Sequence, residues 1–190
     1  VRNKVGTDIK TDGDKFLAEY ERRKDGTSFK TYKSKFSSIG DYVSGNMYVV
    51  YGKSGRGKSV ITLEEVVEMA IDGANVLVWA MEMPWFEVLV RIYVSVSARK
   101  GLTTLNVGGL NLTGGFDASE VRKGKLSDEF EVAFRSFIDM INDDIAGNIT
   151  VRGVDDSDFS NRSLTQLEAD ILHTKADIVM IDPFYYMTYE

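Results

Sequence analysis

Eight residues in the first third of the chain have the types and spacing that bind phosphate. They are Gly52, Lys53, Ser54, Gly55, Arg56, Gly57, Lys58 and Ser59, which follow the P-loop pattern G-x-x-x-x-G-K-S. Glycines let the backbone curl so that its N–H groups point at phosphate oxygens, and a following helix adds the positive end of its dipole. We expect Lys58 to reach the β- and γ-phosphates and the Ser59 hydroxyl to bind Mg²⁺. The segment therefore predicts a nucleoside triphosphate site.

The residues on either side of this segment predict a strand before it and a helix after it. Residues 47–51 are a short apolar run, typical of a buried strand. Residues 60–71 place apolar side chains among charged ones at the spacing of an amphipathic helix. Strand, glycine loop and helix form the context that the P-loop pattern requires, and this context disfavours a chance glycine-rich turn.

Two carboxylates follow predicted strands and are candidates to complete the site. Asp182 ends the apolar run of residues 178–181, the pattern of a Walker B strand whose Asp holds Mg²⁺, although Asp before Pro183 also starts turns. Glu82 follows the predicted strand of residues 75–81. If that strand lies beside the P-loop strand, Glu82 can activate the attacking water, but it can also be a dipole-favoured acid at a helix start. Spacing alone leaves both roles of Glu82 open.

The rest of the pattern predicts an α/β fold with a mostly parallel sheet flanked by helices. Residues 1–35 form an expected N-terminal extension with one helix over residues 14–24, and residues 36–190 form the core. The further predicted elements are helices over 85–100, 126–145 and 163–175, strands over 149–152 and 177–182, and a loop over 101–117. His173 falls on a predicted surface helix, and the aromatic run Phe184, Tyr185 and Tyr186 is more typical of core than of a base-stacking platform.

Composition limits the function classes. The 190 residues include no cysteine, which excludes disulfides and Cys-ligated zinc and fits a cytoplasmic protein. The net charge of −6 argues against a broad basic face for nucleic acid, although a local basic channel remains open. The sequence predicts neither a membrane span nor an apolar signal-peptide core.

Taken together, these segments resemble the DnaB-type replicative helicases, whose ring subunits carry a RecA-like ATPase core. The resemblance runs colinearly over about residues 29–187. It rests on the approach to the P-loop at residues 42–50, on Glu82-Met83-Pro84, on Arg91, and on the Arg-Lys-Gly-Lys-Leu-Ser-Asp-Glu stretch at residues 122–129. Residues 181–187 (Ile-Asp-Pro-Phe-Tyr-Tyr-Met) resemble the family's Ile-Asp-Tyr-Leu-Gln-Leu-Met segment, with Pro183 in place of the Tyr and without the Gln.

The resemblance implies a specific motor. Glu82 becomes the catalytic glutamate that activates water, Lys58 contacts the phosphates, and Ser59 and Asp182 hold Mg²⁺ beside ATP. The expected partners are single-stranded DNA, further copies in a ring of six, and a primase or loader, in a host cytoplasm if the gene is phage-encoded. The helix over residues 14–24 would pack on the adjacent subunit. Because the chain stops soon after Asp182, we expect later parts of the family's core to be missing and hydrolysis by this piece alone to be weak.

Three other functional interpretations of the same residues stay open. A RecA-like ATPase that does not unwind DNA, such as a recombinase, a clock-type ATPase or a loading factor, would carry the same loop and the same Glu. A P-loop small-molecule kinase usually has an Arg-bearing lid, and residues 101–117 contain no Arg. An ATP-binding module for oligomerisation needs no catalysis.

Overall fold

The computed structural model describes residues 6–26 and 29–189. The first five residues of the expected N-terminal extension, residues 27–28 within it, and residue 190 lie outside the described residues. The helices are α1 (Gly13–Lys24), α2 (Lys58–Ile71), α3 (Trp85–Lys100), α4 (Ala118–Lys123), α5 (Asp128–Asp139), α6 (Ile141–Asp144) and α7 (Leu164–Thr174). The strands are β1 (Thr31–Tyr32), β2 (Tyr42–Val43), β3 (Asn75–Ala80), β4 (Thr103–Val107), β5 (Leu110–Gly114), β6 (Asn148–Gly153) and β7 (Ile178–Asp182). A 3₁₀ turn, Phe184–Tyr186, follows β7.

A three-stranded parallel sheet forms the centre of the fold. Its order is β6–β3–β7, so the strand that follows the P-loop helix lies in the middle. The register places Ala80 of β3 opposite Gly153 of β6 and opposite Asp182 of β7. Parallel neighbours need long crossovers, which the helices between these strands provide. The α/β class and the parallel sheet flanked by helices are therefore confirmed.

Alternate side chains of β3 pack into separate clusters on the two faces of the sheet. Val76, Val78 and Ala80 join the large cluster that α2, α3 and α5 cover, and Leu77 and Trp79 join a smaller cluster with α7. All five side chains are at most 2% exposed. A strand buried on both faces reads as a continuous apolar run, which is why this one was predictable.

The structure confirms the long predicted helices. The helix predicted over residues 85–100 is α3, and the one over 163–175 is α7, where Ser163 caps the start by accepting the N–H of Gln166 at 3.2 Å. The exposed His173 lies in the last turn of α7, as predicted. The helix predicted over 14–24 is α1, and none of its side chains is buried.

The buried strand predicted over residues 47–51 is wrong. These residues form neither helix nor strand in the structure, and Met47, Val49 and Tyr51 are 84%, 68% and 90% exposed. A strand needs a hydrogen-bonded neighbour as well as an apolar pattern. Here Tyr48 turns back towards β2 instead: its Oη accepts the N–H of Val43 at 2.9 Å, and its ring packs edge-on against Tyr42.

Two other predictions fail for local reasons. The loop predicted over 101–117 contains a hairpin, β4 and β5, joined by Gly108 and Gly109 at φ of 60° and 84°. Two residues at positive φ are the preferred hairpin turn, so these glycines mark a turn within paired strands. The single helix predicted over 126–145 starts at Asp128 and is interrupted at Met140, whose N–H contacts the carbonyls of both Ser136 and Phe137.

Candidate phosphate-binding site

The glycine loop enters α2 directly. Residues 52–57 form the loop, and Lys58 is the first residue of the helix. Gly55 and Gly57 have φ of 73° and 82°, in the left-handed region that a side chain makes unfavourable. No Cβ placed at either glycine would meet a neighbour within 4 Å, so their backbone conformation alone accounts for the need for glycine. The loop thus has the curled geometry that the sequence predicts.

Positive charge concentrates where the loop meets the helix. Lys58 reaches back over the loop, and its Nζ donates to the carbonyl of Lys53 at 3.2 Å. The first turn of α2 contains no acidic side chain, so nothing in that turn offsets the positive end of the helix dipole. The arrangement favours a bound anion at this end of α2.

Glu82 and Asp182 lie at the same edge of the sheet. Asp182 ends β7 opposite Ala80, and the N–H of Met81 donates to the Asp182 carbonyl at 2.8 Å. Glu82 is the next residue, so the parallel register sets both carboxylates at the carboxyl ends of adjacent strands. The two strands bordering β3 are β6 and β7, so the condition under which Glu82 would lie beside a P-loop strand of residues 47–51 is not met.

One cavity of about 510 Å³ brings the loop and the two carboxylates together. Its size is within the range of small-ligand sites. Its lining is Gly52, Ser54, Gly55, Gly57, Lys58, Ser59, Val60, Glu82, Arg91, Asp182, Pro183 and Tyr185. Of the residues predicted from sequence, Lys53 and Arg56 are exposed and lie outside this lining. A second cavity of about 560 Å³ lies around α4 and α5 and shares no residue with the loop.

Arg91 lines the cavity from α3 and belongs to a cluster of charges. Glu87 accepts two hydrogen bonds from Arg122, at 2.6 and 2.7 Å, and one from Arg91 at 3.4 Å. The hydrogen bonds from Arg122, with the charges of both arginines, hold the pKa of Glu87 below its ordinary value, although burial opposes them. Nε of Arg91 is buried and has no hydrogen-bond partner among the described residues. Residue types and spacing did not indicate Arg91 as a site residue. Only the resemblance to the DnaB-type helicases singled it out.

Tyr185 is the lining residue that the sequence reasoning missed. Its Oη donates to Oε1 of Glu82 at 3.2 Å. Desolvation of the phenol, the hydrogen bond to Glu82 and the nearby negative charges raise the pKa of Tyr185 above its ordinary value. Phe184, Tyr185 and Tyr186 are 61%, 73% and 43% exposed, so placing this run in the core is wrong. Its position directly after a strand that ends at the ligand edge was the available signal.

The fold and the cavity define an α/β domain with a glycine loop and two carboxylates at the carboxyl edge of a parallel sheet. The chain matches no protein-family model and no curated protein sequence. Among the described residues, no group of three or more His, Asp or Glu side chains is arranged to hold a metal ion. None of the helices within residues 6–26 and 29–189 has the length and apolar character needed to cross a membrane.

Proposed function

We propose that this chain binds ATP at the cavity beside α2 and hydrolyses it, as the RecA-like motor of a DnaB-type replicative helicase. The observation that best supports the ATP site is that one cavity is lined by the glycine loop, Lys58, Ser59, Glu82 and Asp182. The helicase assignment rests on the sequence resemblance, with which a parallel sheet covered by helices on both faces is compatible.

The loop and the start of α2 supply the phosphate contacts. Backbone N–H groups of residues 52–59 would surround the phosphates, and the Lys58 ammonium would exchange its bond to the Lys53 carbonyl for phosphate oxygens. The Ser59 hydroxyl and the Asp182 carboxylate fit a Mg²⁺ site, because this ion takes oxygen ligands and usually only one or two from protein in nucleotide sites. Bound Mg²⁺ would neutralise charge on the phosphates.

Glu82 is proposed as the base that activates water. Its carboxylate takes a proton from the water, the water oxygen bonds to the γ-phosphorus, and the bond from that phosphorus to the ADP oxygen breaks. Glu82 is exposed and lines the cavity, so water reaches it. Arg91, which lines the same cavity, would add positive charge near the transferred phosphoryl group.

The exposed face of α1 supports assembly into a ring. Phe16, Leu17 and Tyr20 are 70%, 57% and 54% exposed on a helix that buries no residue. Such a surface is expected of a helix that docks on another subunit. In this proposal six copies form the ring, single-stranded DNA passes through it, and a primase or loader associates with it.

The ATP site is tested by removing the Lys58 ammonium. We expect Lys58→Ala to weaken Mg²⁺–ATP binding by roughly 10- to 100-fold, since hydrogen bonds to charged groups contribute about 1.5–3 kcal/mol. Isothermal titration calorimetry measures the affinity. Lys53→Ala is the matched control, because Lys53 is exposed in the same loop and does not line the cavity. Equal affinities for the Lys58 and Lys53 variants would reject the site.

The water-activating role is tested by Glu82→Gln. We expect nucleotide affinity close to that of the unaltered protein and hydrolysis slower by about 100- to 10,000-fold, the usual contribution of a positioned base. Steady-state phosphate release gives the rate. A variant that loses affinity and keeps its turnover rate would show that Glu82 is structural.

The competing class is a RecA-like ATPase that does not unwind DNA. Strand displacement by the full-length protein on a forked DNA substrate separates the two classes, because only the helicase couples hydrolysis to unwinding. We expect ATP-dependent displacement that Lys58→Ala abolishes. DNA-stimulated hydrolysis without displacement would favour the recombinase, clock-type or loader class instead.

A further inference from the structure

A short turn after β7 presents a tyrosine hydroxyl that hydrogen-bonds to the proposed catalytic Glu82 outside the hydrophobic core. The 3₁₀ turn Phe184–Tyr186 follows β7 at once and brings the Tyr185 hydroxyl to 3.2 Å from Oε1 of Glu82. Both side chains line the cavity. Because Tyr185 is 73% exposed, its ring contributes little to the core, and its hydroxyl is what distinguishes it at this position.

The turn is held at both ends. The N–H groups of Tyr186 and Met187 donate to the carbonyls of Pro183 and Phe184, at 3.3 and 3.2 Å. Met187 then packs against the smaller core cluster, and the N–H of Thr188 donates to the Arg162 carbonyl at 3.1 Å. The turn is therefore anchored to the domain on both sides of the Tyr185 hydroxyl.

A glutamate at an exposed edge needs such a restraint to act as a base. A free Glu side chain samples many rotamers, and misplacing a catalytic group by about 1 Å can cost up to about 100-fold in rate. The phenol hydroxyl donates to one oxygen of the Glu82 carboxylate. The carboxylate keeps further acceptor positions, which a water molecule can use. The ring of Tyr185 also contacts the ring of Tyr186, with centroids 4.9 Å apart, which limits its own movement.

We propose that Tyr185 is a positioning residue that holds the Glu82 carboxylate in its water-activating orientation through the hydrogen bond to Oε1. The inference rests on the proposed ATP hydrolysis and adds a determinant of its rate. In this role Tyr185 contacts neither the nucleotide nor the attacking water; it acts through Glu82.

The test removes the hydroxyl and keeps the ring. We expect Tyr185→Phe to lower kcat by roughly 10- to 100-fold, with KM and the calorimetric affinity for Mg²⁺–ATP within about twofold of the unaltered protein. Tyr186→Phe is the matched control, because it removes a hydroxyl one residue away that is not bonded to Glu82, and we expect its kcat to be unchanged. In Glu82→Gln, adding Tyr185→Phe should give little further loss, since the two groups act as one unit.

A second measurement needs neither nucleotide nor activity. In protein labelled with ¹³Cζ-tyrosine, we expect Glu82→Ala to shift the Tyr185 resonance, identified by its loss in Tyr185→Phe. Glu87→Ala is the control, because Glu87 bonds to Arg122 and Arg91 instead. An unmoved Tyr185 resonance in Glu82→Ala would show that the hydrogen bond does not form in solution.

The outcomes separate this inference from the function on which it rests. If the unaltered protein hydrolyses ATP and Tyr185→Phe keeps its kcat, or raises it, the positioning role is wrong and the ATPase stands. If the unaltered protein neither binds nor hydrolyses ATP, the proposed function fails and the role of Tyr185 falls with it, even where the resonance shift shows the contact.

Discussion

A part-buried ion pair on the α7 side of the sheet gives the sharpest stability prediction. Asp170 of α7 accepts from Arg152 at 2.6 Å, from the indole N–H of Trp79 at 2.9 Å and from Gln166 at 2.8 Å. The Asp170 and Arg152 side chains are only 14% and 13% exposed. Asp158 also pairs with Arg152, at 2.8 Å, but is 80% exposed. Three donors on β3, β6 and α7 thus share one part-buried carboxylate.

Asp170→Ala removes the carboxylate to which Arg152, Trp79 and Gln166 donate. Removing one partner of a buried ion pair costs about 3–5 kcal/mol when the other charge is left unpaired. Arg152 keeps its 2.8 Å pair with the exposed Asp158, so we expect the lower end of that range, about 3 kcal/mol. For a chain of 190 residues, each kcal/mol lowers Tm by about 2–4 °C, so we expect a drop of roughly 6–12 °C. Asp158→Ala removes the exposed partner of the same guanidinium, and we expect it to cost less than about 1 kcal/mol.

Urea and thermal unfolding followed by circular dichroism measure both variants. We also expect that adding Arg152→Met to Asp170→Ala recovers stability, because the guanidinium that has lost its less exposed partner is then gone. A loss for Asp170→Ala as small as that for Asp158→Ala would refute the argument, and so would a double variant less stable than Asp170→Ala alone.

Three further substitutions test other parts of the structure. Gly57→Ala should cost about 1–2 kcal/mol in urea unfolding, because its φ of 82° is unfavourable for a side chain; an unchanged midpoint would contradict the left-handed conformation. Gly153→Ala should cost about 1–3 kcal/mol, since its Cβ would overlap the backbone N of Trp85 at the start of α3, and a Tm equal to that of the unaltered protein would be the contrary result. The Glu87 and Arg122 pair lowers the pKa of Glu87 from its ordinary value of about 4.5. The contribution of this pair to the free energy of unfolding is therefore complete above that pH and is lost as the pH falls through the lower pKa of the folded state. The stability difference between the protein and Glu87→Gln should therefore shrink with acidification below about pH 4.5, as measured by urea unfolding at each pH; a difference that grows there would contradict the pair.

The sheet was predictable where the sequence is apolar on both faces. Residues 75–81 and 177–182 gave β3 and β7 because each run is apolar on both faces. Residues 149–152 gave β6 through the alternation of Ile149 and Val151 with the polar Thr150 and Arg152. Residues 47–51 carry the same apolar signal and form no strand. The difference lies in pairing, which depends on distant segments that a local pattern does not contain.

The candidate site also contains residues that the sequence predicts and residues that only tertiary packing brings in. The loop at residues 52–59 and the acids Glu82 and Asp182 were predictable, since positive-φ glycines and strand ends leave marks in the sequence. The structure brings both acids and the loop residues other than Lys53 and Arg56 to one cavity. Tyr185 and Arg91 reach that cavity only through the turn after β7 and the orientation of α3, which tertiary packing decides.

The two tryptophans of this chain occupy contrasting environments. Trp79 is 0% exposed, in the central strand, with its indole bonded to Asp170; Trp85 is 43% exposed, three residues after Glu82. The protein therefore carries two built-in optical reporters, a short-wavelength emitter in its core and a solvent-sensitive one beside the candidate site. Replacing either with Phe would isolate the other, so unfolding and local change around Glu82 could be followed separately in one molecule without any attached dye.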